Sequence, residues 1–176
     1  MNTPEFFIAV LERSQHTLDL AVENMSAMDL GYSPDSKVNP ARFILWHMSR
    51  EEDYVISEFE ERDQVWINKG WYKKFRKSAD PEYTGYGFTP EEAGTFETPN
   101  LKTLMAYKSA VRKETARFLQ GCTDKDFDRE MKREVAGFRT MGYQLTLLAS
   151  EIIQHTGQIA YLRGIRSQFG WHPGWQ

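Results

Sequence analysis

The chain holds a single cysteine, Cys122, among 176 residues. No disulfide can form within it, which fits a reducing compartment. Excess basic charge is also missing: the formal net charge is -3, so the totals indicate no pull towards nucleic acid or an anionic membrane. No run approaches the roughly 18 apolar residues that span a bilayer. The opening MNTPEFFIAVLERS has no basic start, no long apolar run and no small-residue cleavage site, so it does not read as a secretion signal. Together these absences predict a soluble, cytoplasmic protein that touches neither nucleic acid nor membrane. What is present is material for a core. Hydrophobic residues reach 40% and aromatics 14%, enough for one packed domain over residues 1–176 and against general disorder.

The spacing of the apolar residues predicts four helices. The first starts at Thr3, Pro4 and Glu5 and carries Phe7, Val10, Leu11, Leu18, Ala21, Val22, Met25 and Met28 on one face, ending at Leu30 and Gly31. The second starts near Asn39 and Pro40, with an inward stripe of Phe43, Ile44, His47, Met48, Glu51, Tyr54, Val55 and Glu58. Residues 61 to about 99 show no sustained helical period beyond one turn at Thr89 and Pro90. They form a long connection rich in aromatics, glycine and charge. The third helix runs from about Asn100 to Gln120, with Gly121 as its stop. A polar connection follows, with a small hairpin or turn at 133–138, and the fourth helix spans about Thr140 to Gln168. The expected fold is all-α, a four-helix bundle with a long loop between helices 2 and 3.

Three ionisable groups sit where a packed face should be apolar. Glu151 and His155 are four residues apart, which places them on one helix face, one turn apart, beside Leu148, Ile152 and Ile159. His47 lies in the middle of the second helix's stripe. If the two stripes face each other the three groups converge, and burying each of them unpaired would cost several kcal/mol. Two imidazoles and a carboxylate suit zinc, nickel, manganese or ferrous iron, and three protein ligands leave positions for water or substrate. Glu51, one turn beyond His47, can orient an imidazole or carry a proton. The plain alternative is a hydrogen-bonded core histidine beside an ordinary Glu–His ion pair.

These residues carry a resemblance. The stretch from Leu45 to Asp53, LWHMSREED, resembles the second-helix histidine motif of the DinB/YfiT-like metalloenzyme superfamily. The stretch from Glu151 to Gly164, with HTGQIAYLRG as its strongest part, resembles the last-helix motif H-x-x-x-H-x-G-Q. The resemblance implies a four-helix bundle, often a homodimer, with a metal held by three histidines. Carried over, it makes His47 and His155 ligands. Glu151 stands where the common histidine would be, and can still ligate. Similar proteins include thiol-dependent transferases and isomerases, so a low-molecular-weight thiol cosubstrate and a small-molecule substrate are implied. Gln158 and Arg163 follow His155 on nearly the same face and can contact an anionic ligand. Alternatively, Gln158 satisfies a buried backbone group and Arg163 pairs at the bundle end.

The leading expectation is a metal-dependent, thiol-using transferase or a hydrolase. Its rivals are a non-catalytic metal-binding stress-response protein and a dimeric interaction bundle whose polar trio fixes helix register. Other features read as ordinary structure. The basic cluster Lys69, Lys73, Lys74, Arg76 and Lys77 reads as a solvated loop face. Cys122 reads as a structural thiol and His16 as exposed. His172 reaches the metal only if the tail folds back. The aromatic middle segment reads equally as a lid over the pocket or as satellite packing.

Overall fold

Asn2 opens the first helix. Its side-chain oxygen accepts from the Glu5 N–H at 2.9 Å, and the Glu5 carboxylate accepts from the Asn2 N–H at 3.1 Å. This reciprocal cap, with proline in the first turn, starts α1 (Thr3–Val22). The cap is Asn2 rather than the Thr3 hydroxyl. A computed structural model of the chain describes residues 1–167 and 170–173. In it α1 stops at Val22 instead of continuing through Met28. Asn24 adopts a left-handed conformation, φ 57°, and a second reciprocal cap between Ser26 and Asp29 starts the single turn α2 (Ala27–Leu30).

α3 (Ala41–Glu60) follows Pro40, whose fixed φ suits a helix entry, and ends at Glu61 with φ 52°. The long connection is more structured than its sequence suggests. It carries three short helices, α4 (Val65–Asn68), α5 (Trp71–Phe75) and α6 (Pro90–Gly94), and only the last, capped by Thr89, was expected. α7 (Leu101–Gln120) begins where the Asn100 side chain accepts from the Thr103 N–H. A 3-10 turn (Asp124–Asp128) leads into the antiparallel strands β1 (Glu130–Val135) and β2 (Phe138–Thr140). Ala136 and Gly137, both at positive φ, make the hairpin turn. α8 (Met141–Ser167) completes the order, and the expected end at Gln168 lies outside the described residues.

The fold is mostly helical, as expected, with one small sheet. α1 packs on α7 and α8, and α3 packs on the same two helices. A buried hydrogen bond of 2.9 Å between Ser14 and Thr156 ties α1 to α8. Around α3 gathers an aromatic core in which Trp46 packs on Phe96 at 4.2 Å and Phe43 stacks on the His47 ring. The middle connection is thus packed onto α3, with Trp46 and Trp66 fully buried. No helix among the described residues is long and apolar enough to cross a membrane.

The expected inward stripes need correcting at their edges. Glu58 is exposed, and Met28 is 74% exposed. α3 instead buries Arg50, Glu52 and Asp53 completely, on the side that faces α7 and the middle connection. A long helix that is covered on several sides has no single apolar stripe to read.

Candidate metal centre

α3 contributes His47, which is buried, and α8 contributes Glu151 and His155, which are half-buried. The packing of the two helices brings all three to one point. His47 Nε2 lies 3.1 Å from Glu151 Oε1, and His155 Nε2 lies 3.5 Å from the same oxygen. One ligand atom from each residue lies within 4.8 Å of both others, and this is the group of metal-ligating type found among the described residues.

Each ring is fixed through its other nitrogen. His47 Nδ1 lies 2.7 Å from the Thr84 carbonyl oxygen, and His155 Nδ1 lies 2.8 Å from Gln158 Oε1. A carbonyl oxygen only accepts, so both Nδ1 atoms are placed to donate. With its proton on Nδ1, each neutral ring turns an Nε2 lone pair towards the Glu151 carboxylate, and a doubly protonated ring instead donates from Nε2 to it. Three electron-rich atoms facing one another repel unless a positive charge lies among them, either a proton on an imidazole or a metal cation.

The electrostatics agree with that demand. Burial opposes ionisation of Glu151, but hydrogen bonds from His155 and His47 outweigh it and hold the carboxyl at about 2. Burial likewise opposes a charged His47, yet the bonds to Glu151 and Thr84 win and push its pKa up. Burial and the Glu151 charge push the Glu51 carboxyl up, against a hydrogen bond from Thr84 and the charge of His47. A carboxyl raised in this way, one turn from a ligand, is suited to carrying a proton.

The donor set fits a first-row divalent ion. Bonds of about 2.0–2.2 Å place neighbouring ligand atoms roughly 3–3.6 Å apart. The two contacts to Glu151 already have that spacing. Histidines whose distal N–H is anchored by a carbonyl are the usual arrangement around such an ion. Three protein donors leave coordination positions open to solvent or substrate.

The remaining expected residues fall into place differently. Gln158 is exposed and holds the His155 ring; it does not serve a buried backbone group. Arg163 is half-buried, and its Nε has no hydrogen-bond partner among the described residues. His172 is outside the converging group. Cys122 donates to the Phe118 carbonyl at 3.4 Å, and burial pushes its thiol up, away from reactivity. His16 is exposed. Lys74 and Lys77 lie 4.0 Å over the rings of Trp71 and Phe96, and Lys69 pairs with Glu114 at 3.1 Å, so much of the basic cluster is engaged within the chain. Thr84 is the functional residue that sequence reasoning missed. It acts through a backbone carbonyl, which any residue type supplies.

Known proteins bear on this geometry. A family model described as the DinB superfamily matches residues 10–159, a span that includes His47, Glu151 and His155 but ends before Arg163. The crystal structure of a conserved protein from Enterococcus faecalis superposes with a TM-score of 0.84, covering 94% of this chain and 97% of that one. At 21% identity that likeness speaks for the fold alone. No curated protein matches. The chain belongs to the DinB superfamily.

Proposed function

We propose that the chain is a four-helix bundle of the DinB/YfiT-like type that holds one divalent zinc, nickel, manganese or iron ion. In this reading His47 Nε2, Glu151 Oε1 and His155 Nε2 are the ligands. The protein then acts as a metal-dependent transferase or hydrolase on a small molecule, with a low-molecular-weight thiol as cosubstrate of the transferase. The observation that supports this reading most is the orientation of the two imidazoles. Both have Nδ1 against a carbonyl acceptor, and both present Nε2 to one carboxylate oxygen.

A bound ion of this kind supplies Lewis acidity and favours the anionic form of a thiol or water at its open position. The chain's own residues supply the rest. Thr84 and Gln158 orient the rings, and Glu51 exchanges the proton that the thiol or water gives up. Arg163, whose Nε has no partner among the described residues, lies on the helix that bears two of the ligands and receives an anionic group of the cosubstrate. Substituting glutamate for the family's histidine adds negative charge and a harder donor. This shifts preference away from the softest metals.

Calorimetric titration of metal-stripped protein with Zn(II), Ni(II), Mn(II) and Fe(II) tests the site. One ion per chain is expected, with affinity falling at least about 100-fold in His47→Ala and in His155→Ala. The absence of binding in the unaltered protein contradicts it and leaves the trio as a register device. Turnover of small electrophiles by the loaded protein, with and without thiols, tests catalysis. Glu51→Gln is expected to keep the metal and lose most of the rate. The pairing of two copies belongs to the same reading, and light scattering that returns the mass of one chain contradicts it.

A further inference from the structure

Arg50 stands three residues beyond His47 on α3 and is 0% exposed. A buried guanidinium has five N–H donors to satisfy and a charge to offset. Two of them go to the backbone of the connection between α5 and α6. Nε donates to the Tyr83 carbonyl at 3.1 Å, and Nη2 donates to the Pro81 carbonyl at 2.9 Å. Nη1 meets the Tyr107 hydroxyl at 3.3 Å and the Asp53 carboxylate at 3.6 Å, while the guanidinium plane lies 4.7 Å over the Trp66 ring. Gln64 Nε2 adds a second donor to the Pro81 carbonyl at 3.1 Å.

The next carbonyl along this segment is that of Thr84, the acceptor for His47 Nδ1. Three carbonyls within four residues are thus taken by two α3 side chains one helical turn apart. Peptide units are rigid planes, so fixing one limits the next. The Tyr83–Thr84 plane is pinned by Arg50. On the other side, Gly85 presses against α3 so closely that a Cβ there would stand 2.8 Å from the Trp46 ring. The Thr84–Gly85 plane, which aims the carbonyl at His47, is held between these two anchors.

We propose that Arg50 is a positioning residue for the metal centre. It does not touch the ion. By pinning the Pro81 and Tyr83 carbonyls it aims the Thr84 carbonyl, which in turn selects the Nδ1–H tautomer of His47 and points Nε2 at Glu151 and His155. The middle connection is then a built part of the centre rather than a lid over it. The consequence for metal affinity rests on the proposed metal reading, whereas the tautomer can be read with no metal present.

Two measurements on Arg50→Lys test this. The first is a long-range proton–nitrogen NMR spectrum of the metal-free protein, which reports the His47 tautomer directly. Recorded above the pH range in which His47 is doubly protonated, the unaltered protein is expected to show a single Nδ1–H form, and Arg50→Lys a mixture of both tautomers. The second is Co(II) titration with its visible spectrum. Removing an outer hydrogen-bond partner of a ligand costs about 10- to 100-fold in affinity, and Arg50→Lys is expected at the lower end, about tenfold, with a changed absorption envelope. Arg112→Lys, which disturbs a different, half-buried guanidinium, serves as a control and is expected to alter neither readout. If Arg50→Lys does not fold, Gln64→Met decides, with a partial tautomer shift and a loss of about threefold. A folded Arg50→Lys or Gln64→Met protein with the His47 tautomer unchanged overturns the proposal, as does a control that shifts equally. Failure of the unaltered protein to bind Co(II) removes the metal reading while the tautomer still decides the role of Arg50.

Discussion

His47 and Glu151 meet at 3.1 Å across the α3–α8 interface, although 104 residues separate them in the chain. The contact exists because each residue sits on a helix face that packs inward. Position 151 is also where this chain departs from the histidine of the last-helix motif it resembles. Glu151→His is expected to retain one ion per chain, because imidazole reaches the same point and suits the same metals. Glu151→Leu is expected to lose at least about 100-fold in affinity, since two neutral imidazoles alone make a weak site. Calorimetric titration of both variants checks this, and equal affinities would remove position 151 from the ligand set.

Gln158 is expected to matter through His155 alone. Its Oε1 accepts the Nδ1 proton at 2.8 Å and so keeps Nε2 free for the centre. Gln158→Ala should weaken metal binding about tenfold. Gln158→Glu, which offers a stronger acceptor, should restore most of it. Titration with one metal under fixed conditions reads both.

The buried cluster around Glu52 governs stability rather than chemistry. Its carboxylate accepts from Arg112 at 2.7 and 2.9 Å, from Lys108 at 3.0 Å and from Thr115 at 2.8 Å. Burial opposes ionisation, but the Arg112 and Lys108 charges outweigh it and hold the carboxyl far below its ordinary value. Lys108 fares worse. Burial pulls its amine down to about 8, Arg112 repels it, and Glu52, already engaged by Arg112, offsets only part. One carboxylate serves two cations, and the lysine bears the deficit.

The signs follow from these directions. Glu52 titrates lower in the folded chain than in the unfolded one. Its contribution is therefore complete above about pH 4.5 and is lost as the pH falls through the folded value. Lys108 also titrates lower when folded. Its penalty is complete below about pH 8 and lifts as the pH rises towards 10.5. Glu52→Gln should cost about 3–5 kcal/mol at pH 7, because it strands the buried Lys108 and the half-buried Arg112. Lys108→Met should change stability by no more than about 1 kcal/mol at pH 7 and flatten the alkaline rise, since Arg112 still neutralises Glu52. Urea unfolding at several pH values checks both; a Lys108→Met loss as large as that of Glu52→Gln contradicts the unequal sharing.

Gly85 is the glycine the site cannot replace. Its φ of 89° is left-handed, and an added Cβ would stand 2.8 Å from Trp46 and 3.0 Å from Phe43, two buried rings beside His47. Gly85→Ala is expected to cost about 2–4 kcal/mol, strain plus overpacking. Gly87→Ala, also at positive φ but with nothing near, should cost only about 1 kcal/mol. Thermal unfolding of the pair separates the close approach from the backbone term.

How much of this was legible depends on whether a residue acts through its own periodicity. Glu151 and His155 were readable because four residues make one helical turn, and His47 because it interrupts an apolar stripe. The break after Val22 was missed because Met25 and Met28 continue the apolar spacing across it, although Asn24 and the Ser26–Asp29 cap mark the change. α4 and α5 are single turns held by tertiary contacts. Asp53, from α3, accepts the Val65 and Trp66 N–H groups at 2.9 and 2.8 Å, and no local pattern announces such a cap. Arg50, Glu52 and Asp53 fall outside the expected inward stripe because their partners lie on α7 and the connection, far away in sequence. Thr84 was invisible for the same reason: what the site uses is a carbonyl placed by the fold.

The most direct test of the metal centre is anomalous scattering from a crystal grown with Zn(II) or Co(II), recorded on either side of the metal's absorption edge. One peak is predicted, within about 2.0–2.3 Å of His47 Nε2, His155 Nε2 and a Glu151 oxygen. No peak at that point, or a peak that leaves out any of the three, would contradict the account.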